Sequence, residues 1–324
     1  MNLNVLGLDA ESYQRSDLHG QDRIWVETNC YVDLWIEVLH ALGTPPQACA
    51  AFTFSIDFDD DQFSFFKYPL EDLRFMWGLD VNEMNPWLPL EEHLELQLSK
   101  GRLMTVEIDS WFLPDTAGVS YQLEHVKTSI AAQMINRDEQ RLGYFHGQSY
   151  YEISGADYQG ALRLTPETRD QLPPYTELVK LDRFERPDDN ELARRAEVLV
   201  VQHLKRRPTQ NPVTKFRRQF HADLVRLIDG GGSRFHGYAF ATLRQLGAAA
   251  EMAASLTSWL ESATGRALKP ATEDLLVVSS TAKSAQFKMA RAATGRPVDF
   301  EPMFDQMQHA WGNALDALES HYGG

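Results

Sequence analysis

The chain has 324 residues, 43% of them hydrophobic, enough to bury one large core or two ordinary ones and too many for a disordered chain. A net charge of −15 argues against a general nucleic-acid binder, and apolar runs such as Leu275 to Val278 are far too short to span a bilayer. Cys30 and Cys49 can make at most one disulfide, which a chain of this size does not need, so both are expected as free thiols in a reducing compartment.

The opening stretch MNLNVLGLDAES lacks the basic segment and long apolar run of a signal peptide, and the expected location is the cytoplasm. Next comes ETNCYVDLWIEVLHALG, Glu27 to Gly43. Thr28 or Asn29 can cap a helix whose apolar face is Tyr31, Leu34, Trp35, Val38, Leu39 and Leu42, with Gly43 and Pro45 ending it. Cys49 in PQACAAF has no such helix start and reads as structural. AAFTFSIDF reads as a strand, and the acidic DFDDDQF after it as a solvated hairpin tip. The stretch from Tyr68 to Arg102 has leucines at helical spacing and reads as core, or as a lid over a site. LMTVEIDSWFL, VKTSIAAQMIN, RLGYFHG and SYYEIS read as strands, with INRDEQRL turning a hairpin between two of them. LTPETRDQLPPYTEL, with three prolines, reads as a linker.

Helices then follow one another: Asp188 to Arg207, Pro212 to Ile228, Phe235 to Ser262, Thr272 to Thr294 and Phe300 to His321. DGGGSRFHG lacks the Gly-Lys-Ser/Thr ending and preceding strand of a phosphate loop, so it reads as an interhelical loop. Charge divides the chain the same way, at −17 for residues 1–175 and +2 for residues 176–324. The expected class is α+β: an N-terminal domain, 1–170, with a mainly antiparallel sheet, then an all-helical domain, 171–324.

Cys30 falls in the first turn of its helix, where unpaired backbone N–H groups and the helix dipole favour an anion, here a nucleophilic thiolate, and can also receive an oxyanion. The competing reading is a thiol that packs as a small hydrophobe. A nucleophile needs a base, and His125, at the mouth of a predicted strand after the polar loop LPDTAGVSYQLE, is the candidate. His146, on the next strand, is the candidate to orient its ring, while Asp109 ends the preceding strand. HLKRRPTQNPVTKFRR places Lys205, Arg206, Arg207, Lys215, Arg217 and Arg218 together, either as a docking patch for an anionic partner or as a solvated face at a helix end. No Cys-x-x-Cys or His-Glu-x-x-His spacing exists, so no metal is expected.

NCYVDLW, VEIDSWFLPDT, EHVKTSIAAQMI and RLGYFHGQSYYEI resemble an uncharacterised bacterial family, domain of unknown function 1839, encoded beside ligases that load amino acids onto carrier proteins. An Asp-x-x-x-Leu-Pro segment before a His-led strand is also similar, over roughly residues 20 to 160, to the N-terminal region of the butirosin biosynthesis protein H acyltransferases. The resemblance implies a papain-like core with Cys30 as nucleophile and His125 as base. It departs from that pattern in its oxyanion donor: Ile24 stands where a Gln is usual and Gln21 lies nine residues before Cys30, leaving Asn29, Gln21 or a backbone N–H for the role. The implied activity moves an acyl or aminoacyl group from a carrier-protein thioester to an amine, with phosphopantetheine present only as the carrier's arm and no cofactor of its own. A noncatalytic partner of a carrier or ligase, and a cysteine peptidase or amidase, are the alternatives.

Overall fold

The computed structural model describes residues 2–323 apart from 170, 231 and 293. Contacts divide the chain into two compact units that differ from the contiguous 1–170 and 171–324 expected. Unit 1 comprises residues 1–21, 29–46 and 70–186, and unit 2 comprises 22–28, 47–69 and 187–324.

Unit 1 is α+β. In chain order it holds β1 (Asn2–Asn4), α1 (Cys30–Ala41), α2 (Leu70–Trp77), β2 (Asp80–Met84), α3 (Leu90–Leu98) and β3 (Leu103–Asp109). There follow β4 (Lys127–Asn136), β5 (Arg141–His146), β6 (Ser149–Ser154), α4 (Gly155–Ala161), α5 (Pro166–Arg169) and β7 (Thr176–Lys180). The seven strands form one sheet in the order β2-β7-β3-β4-β5-β6, with β1 added on the far end of β4 at Met134–Asn136. Every described pair is antiparallel. The expected strands from LMTVEIDSWFL to SYYEIS are β3 to β6. The expected linker is not one: its last residues open β7, which is hydrogen-bonded on both sides, to β2 and to β3; its Asp170 lies outside the described residues.

Strand alternation gives the sheet two faces. Met104, Val106, Ile108, Ile130, Ala132 and Tyr144 point to one, where they pack with Leu90, Leu94 and Leu98 of α3 and with Tyr158 and Ala161 of α4. Thr105, Glu107 and Asp109 point to the other. There α1 crosses the sheet, and the Tyr31 hydroxyl donates to Glu177, which also accepts from Thr105 at 2.7 Å.

The one-sided apolar helix expected at Glu27 to Gly43 is buried all round, from Tyr31 through Leu39. Its second face carries Asp33 and Glu37, and burying two carboxylates requires a counter-charge. His19 supplies it, with its ring fully buried, Nδ1 2.5 Å from Glu37 and Nε2 3.4 Å from Asp33. The Tyr13 hydroxyl and the Ser16 N–H donate to Glu37 as well. Burial alone would lower the His19 pKa, but hydrogen bonds to and charges on Asp33 and Glu37 outweigh it and raise the pKa to about 9.

Unit 2 is helical: α6 (Asp189–Leu204), α7 (Pro212–Gly230), α8 (Gly232–Ala239), α9 (Gln245–Thr264), α10 (Lys269–Ala292) and α11 (Glu301–Tyr322), with a π-turn at 240–244 joining α8 to α9. Gly231 lies outside the described residues, and the rest of the expected interhelical loop is helix instead, ending α7 and continuing through α8. The two early segments complete this unit. The N–H groups of Ile24 and Trp25 donate to buried Glu251 at 2.8 Å, and the Trp25 ring sits where a side chain at Gly247 would have to be. Phe58 packs tilted and Phe63 edge-on against Phe216, and Lys215 pairs with Asp57 at 2.7 Å. AAFTFSIDF, expected as a strand, is mostly a 3-10 segment, Pro46–Ser55, and the acidic tip after it is closed by the single bridge Phe58–Phe63. An unbroken apolar run carries no period, and here total burial of Ala48 to Phe54, not alternation, produced it.

Candidate functional site

Cys30 is the first residue of α1 and is half-buried. Asn29 is the cap: its backbone is extended and its side-chain oxygen accepts from the Val32 N–H at 3.0 Å. That bond commits the Asn29 oxygen to the helix and keeps the first-turn N–H groups of Cys30 and its neighbours gathered at one end. Gln21, the other candidate donor, is exposed at the end of segment 1–21. Among the described residues no hydrogen bond joins Cys30 to Gln21 or to His125.

His125 lies two residues before β4, and its partner is Asp109 rather than His146. Nδ1 of the ring is 2.6 Å from Asp109 Oδ2, and the ring lies flat on Trp111, centroids 4.4 Å apart and planes 12° apart. The other Asp109 oxygen accepts from the Trp111 N–H at 3.0 Å, so one carboxylate fixes both the imidazole and the platform under it. This bond on Nδ1 leaves Nε2 on the far side of a ring whose side chain is 67% exposed. Asp109 shares its sheet face with Thr105 and Glu107, the face that α1 crosses. From Thr105, under Tyr31, to Asp109 is roughly 13 Å along the strand. Lys127 pairs with Glu107 at 2.8 Å beside the pair.

His146 is elsewhere and otherwise engaged. The register sets Phe145 opposite Ala131 and Tyr144 opposite Ala132, so His146 falls on the face covered by α3 and α4, away from α1. Both ring nitrogens are taken, Nδ1 by Asp115 at 2.5 Å and Nε2 by the Thr128 hydroxyl at 2.8 Å, while Tyr144 donates to the other Asp115 oxygen at 2.5 Å. Such a ring has no nitrogen left to orient His125. Its placement depends on a single step of strand parity, which the sequence does not reveal.

Three of the six cations of the basic stretch are paired with acids within unit 2. Arg207 pairs with Asp316 and Glu319, Lys215 with Asp57, and Arg217 with Glu301 and Asp305. Lys205, Arg206 and Arg218 are exposed. The six cations therefore do not make one uncompensated patch, because α11 brings acidic side chains that no local pattern foretold. Among the described residues no group of three or more His, Cys, Asp or Glu side chains is arranged to hold a metal, and no helix is long and apolar enough to cross a membrane.

Sequence reasoning missed two residues. Trp111 was one more aromatic in a strand, and its stacking role has no signal without the turn 110–112 that presents it. Arg163 lines the cavity beside His125, yet stood in an undistinguished helix end.

The DUF1839 N-terminal domain matches residues 14–181, and the DUF1839 C-terminal domain matches residues 189–320. No curated protein matches the chain.

Proposed function

Since the chain belongs to the DUF1839 family by matches over most of its length, a family whose name specifies no chemistry, we propose from its site that it is a cysteine-dependent acyltransferase with a papain-like core. The observation that carries this reading is the Asp109–His125 pair, a histidine held by a carboxylate at Nδ1 with its other nitrogen toward solvent, in the same unit as Cys30 at the start of α1. Asp109 takes the orienting role expected of His146, and a His held by a carboxylate at Nδ1 is built to accept a proton at Nε2.

In the proposed reaction His125 Nε2 takes the Cys30 proton and the thiolate attacks the thioester carbonyl of an acyl or aminoacyl carrier protein. The carbonyl oxygen is received by the first-turn N–H groups of α1. The phosphopantetheine thiolate leaves with a proton from His125, and Cys30 holds the acyl group. An amine then attacks, loses its proton to His125 and leaves as the amide, returning the Cys30 thiol. Thioester exchange costs little free energy, so the protein has mainly to position the amine and exclude water. The phosphopantetheine arm belongs to the carrier, and the reaction asks for no further cofactor. The carrier and the amine acceptor are part of this proposal.

Intact-protein mass spectrometry after incubation with an acylated carrier tests it. The wild type is expected to gain the acyl mass at Cys30 and Cys30→Ala to gain none. Asp109→Asn is expected to slow acylation by about 10²- to 10⁴-fold by fixing the wrong tautomer, while Asp115→Asn leaves the rate close to wild type. Full turnover by Cys30→Ala would refute the assignment.

A further inference from the structure

Two adjoining cavities in unit 1 share the side chains of Arg163, Pro173 and Pro174. The first, 420 Å³, is walled by Leu88, Leu90, Leu162 and Leu164. The second, 370 Å³, is lined by His125, Asp109 and Lys127. Trp87 and Leu172, adjacent in sequence to residues of the first cavity's wall, are left in water at 79% and 87% exposure. Bulky apolar side chains beside an apolar cavity are a mark of a binding mouth.

Arg163 stands where the two cavities meet, in a backbone conformation that does not suit it. It follows the C-cap of α4, where the Leu164 N–H bonds the Gln159 carbonyl at 2.8 Å and the Arg163 N–H bonds that of Gly160 at 3.1 Å. This is a Schellman turn, and Arg163 occupies its left-handed position at φ +59°. Glycine would adopt that conformation without strain; a side chain there is strained. The guanidinium so placed donates to the Leu172 carbonyl and lines both cavities. Burial pushes its pKa down, against the charge of Asp109, which raises it. A partly desolvated cation at the end of an apolar slot recognises an oxygen-bearing head on an aliphatic chain.

We propose that the paired cavities are the acyl-group site, taking an unbranched aliphatic acyl group with its chain among Leu88, Leu90, Leu162 and Leu164, its carboxylate or thioester oxygen on Arg163, and its carbonyl carbon toward His125. The assignment rests on the transferase reading for its chemistry and names the acyl group that reading leaves open. The volume suits a chain of about eight carbons. An ammonium head would meet Arg163 as a like charge and is excluded.

Calorimetry on the full chain with butyrate, octanoate, octylamine and S-octanoyl-N-acetylcysteamine tests this. Octanoate or its thioester is expected to bind, with roughly fourfold tightening per methylene from butyrate upward, and octylamine is expected not to bind. Binding of the thioester alone assigns the site to the activated acyl group, and binding of octanoate as well extends it to the free acid. Arg163→Gly is expected to melt no lower than the wild type, because it relieves the turn, yet to weaken binding at least tenfold. Leu88→Gln, in the half-buried wall, is expected to weaken octanoate more than butyrate. Equal binding of octylamine and octanoate, no binding of octanoate or its thioester, or an Arg163→Gly variant that binds as well as the wild type would overturn the proposal. Cys30→Ala separates this from the reading it rests on: binding retained without acyl transfer supports both, and transfer retained by that variant removes the nucleophile while the binding result stands or falls by itself.

Discussion

His19 and Glu37 have no solvent exposure, and the bond between them is the means by which a helix carrying two acids can lie in the middle of unit 1. Because the folded His19 pKa is raised to about 9, above its ordinary 6.5, the pair contributes stability that is full below pH 6.5 and is lost as pH rises through about 9. Urea unfolding at pH 6, 7.5 and 9 is expected to show that decline, and a profile flat across this range would refute it. His19→Leu is expected to cost about 3 to 5 kcal/mol at neutral pH, since Glu37 would stay buried without its cation. None of this was legible in the sequence. His19 lies in a polar N-terminal stretch without periodicity, and its partners stand on a helix face that looked solvent-bound. The helix start at Cys30 and the strand mouth at His125 were legible because both are local features; the partner of His125 was not, because whether Asp109 or His146 faces it depends on strand parity across the sheet.

The element that couples architecture to the candidate site is the turn 110–112. Phe112 packs so closely on Gly160 of α4 that a methyl group there would collide with its ring, and the neighbouring residue, Trp111, is the platform under His125. Gly160→Ala is therefore expected to cost about 1 to 3 kcal/mol by overpacking and to slow acylation beyond what a lowered melting temperature explains. Acylation rates measured well below the melting point, beside thermal unfolding, decide it, and a variant destabilised but fully active would show that the turn does not position His125. Strands β3 to β6 and helices α6, α7, α10 and α11 were legible because their periods of 2 and 3.6 are sustained, whereas the start of α8 in a glycine-rich stretch and the π-turn that separates it from α9 were not. β7 was not: five residues after Pro173-Pro174 look like the end of a linker, and only pairing on both sides makes them a strand.

At the scale of the whole molecule the chain is interlaced. The charge asymmetry and the change of periodicity announced two parts, but segments 22–28 and 47–69 belong with the later helices through contacts more than 150 residues apart in sequence. Residues 187–324 alone are expected to remain helical but to melt without a cooperative transition, because Trp25, Phe58 and Phe63 would be missing from the core. Circular dichroism of that fragment checks this, and a sharp transition would show that the helices are self-sufficient.

The same interlacing sets a timetable during synthesis. Phe54, Phe58, Phe63 and Phe66, all buried in the finished protein, leave the ribosome long before α7 and α9, which hold the unit-2 partners of this segment and of Trp25. At about 5 to 20 residues per second the wait is on the order of ten to forty seconds. Through that interval an aromatic segment stands ready with nothing to fold onto, so nascent chains stalled between residues 70 and 210 are where chaperone capture and aggregation should concentrate.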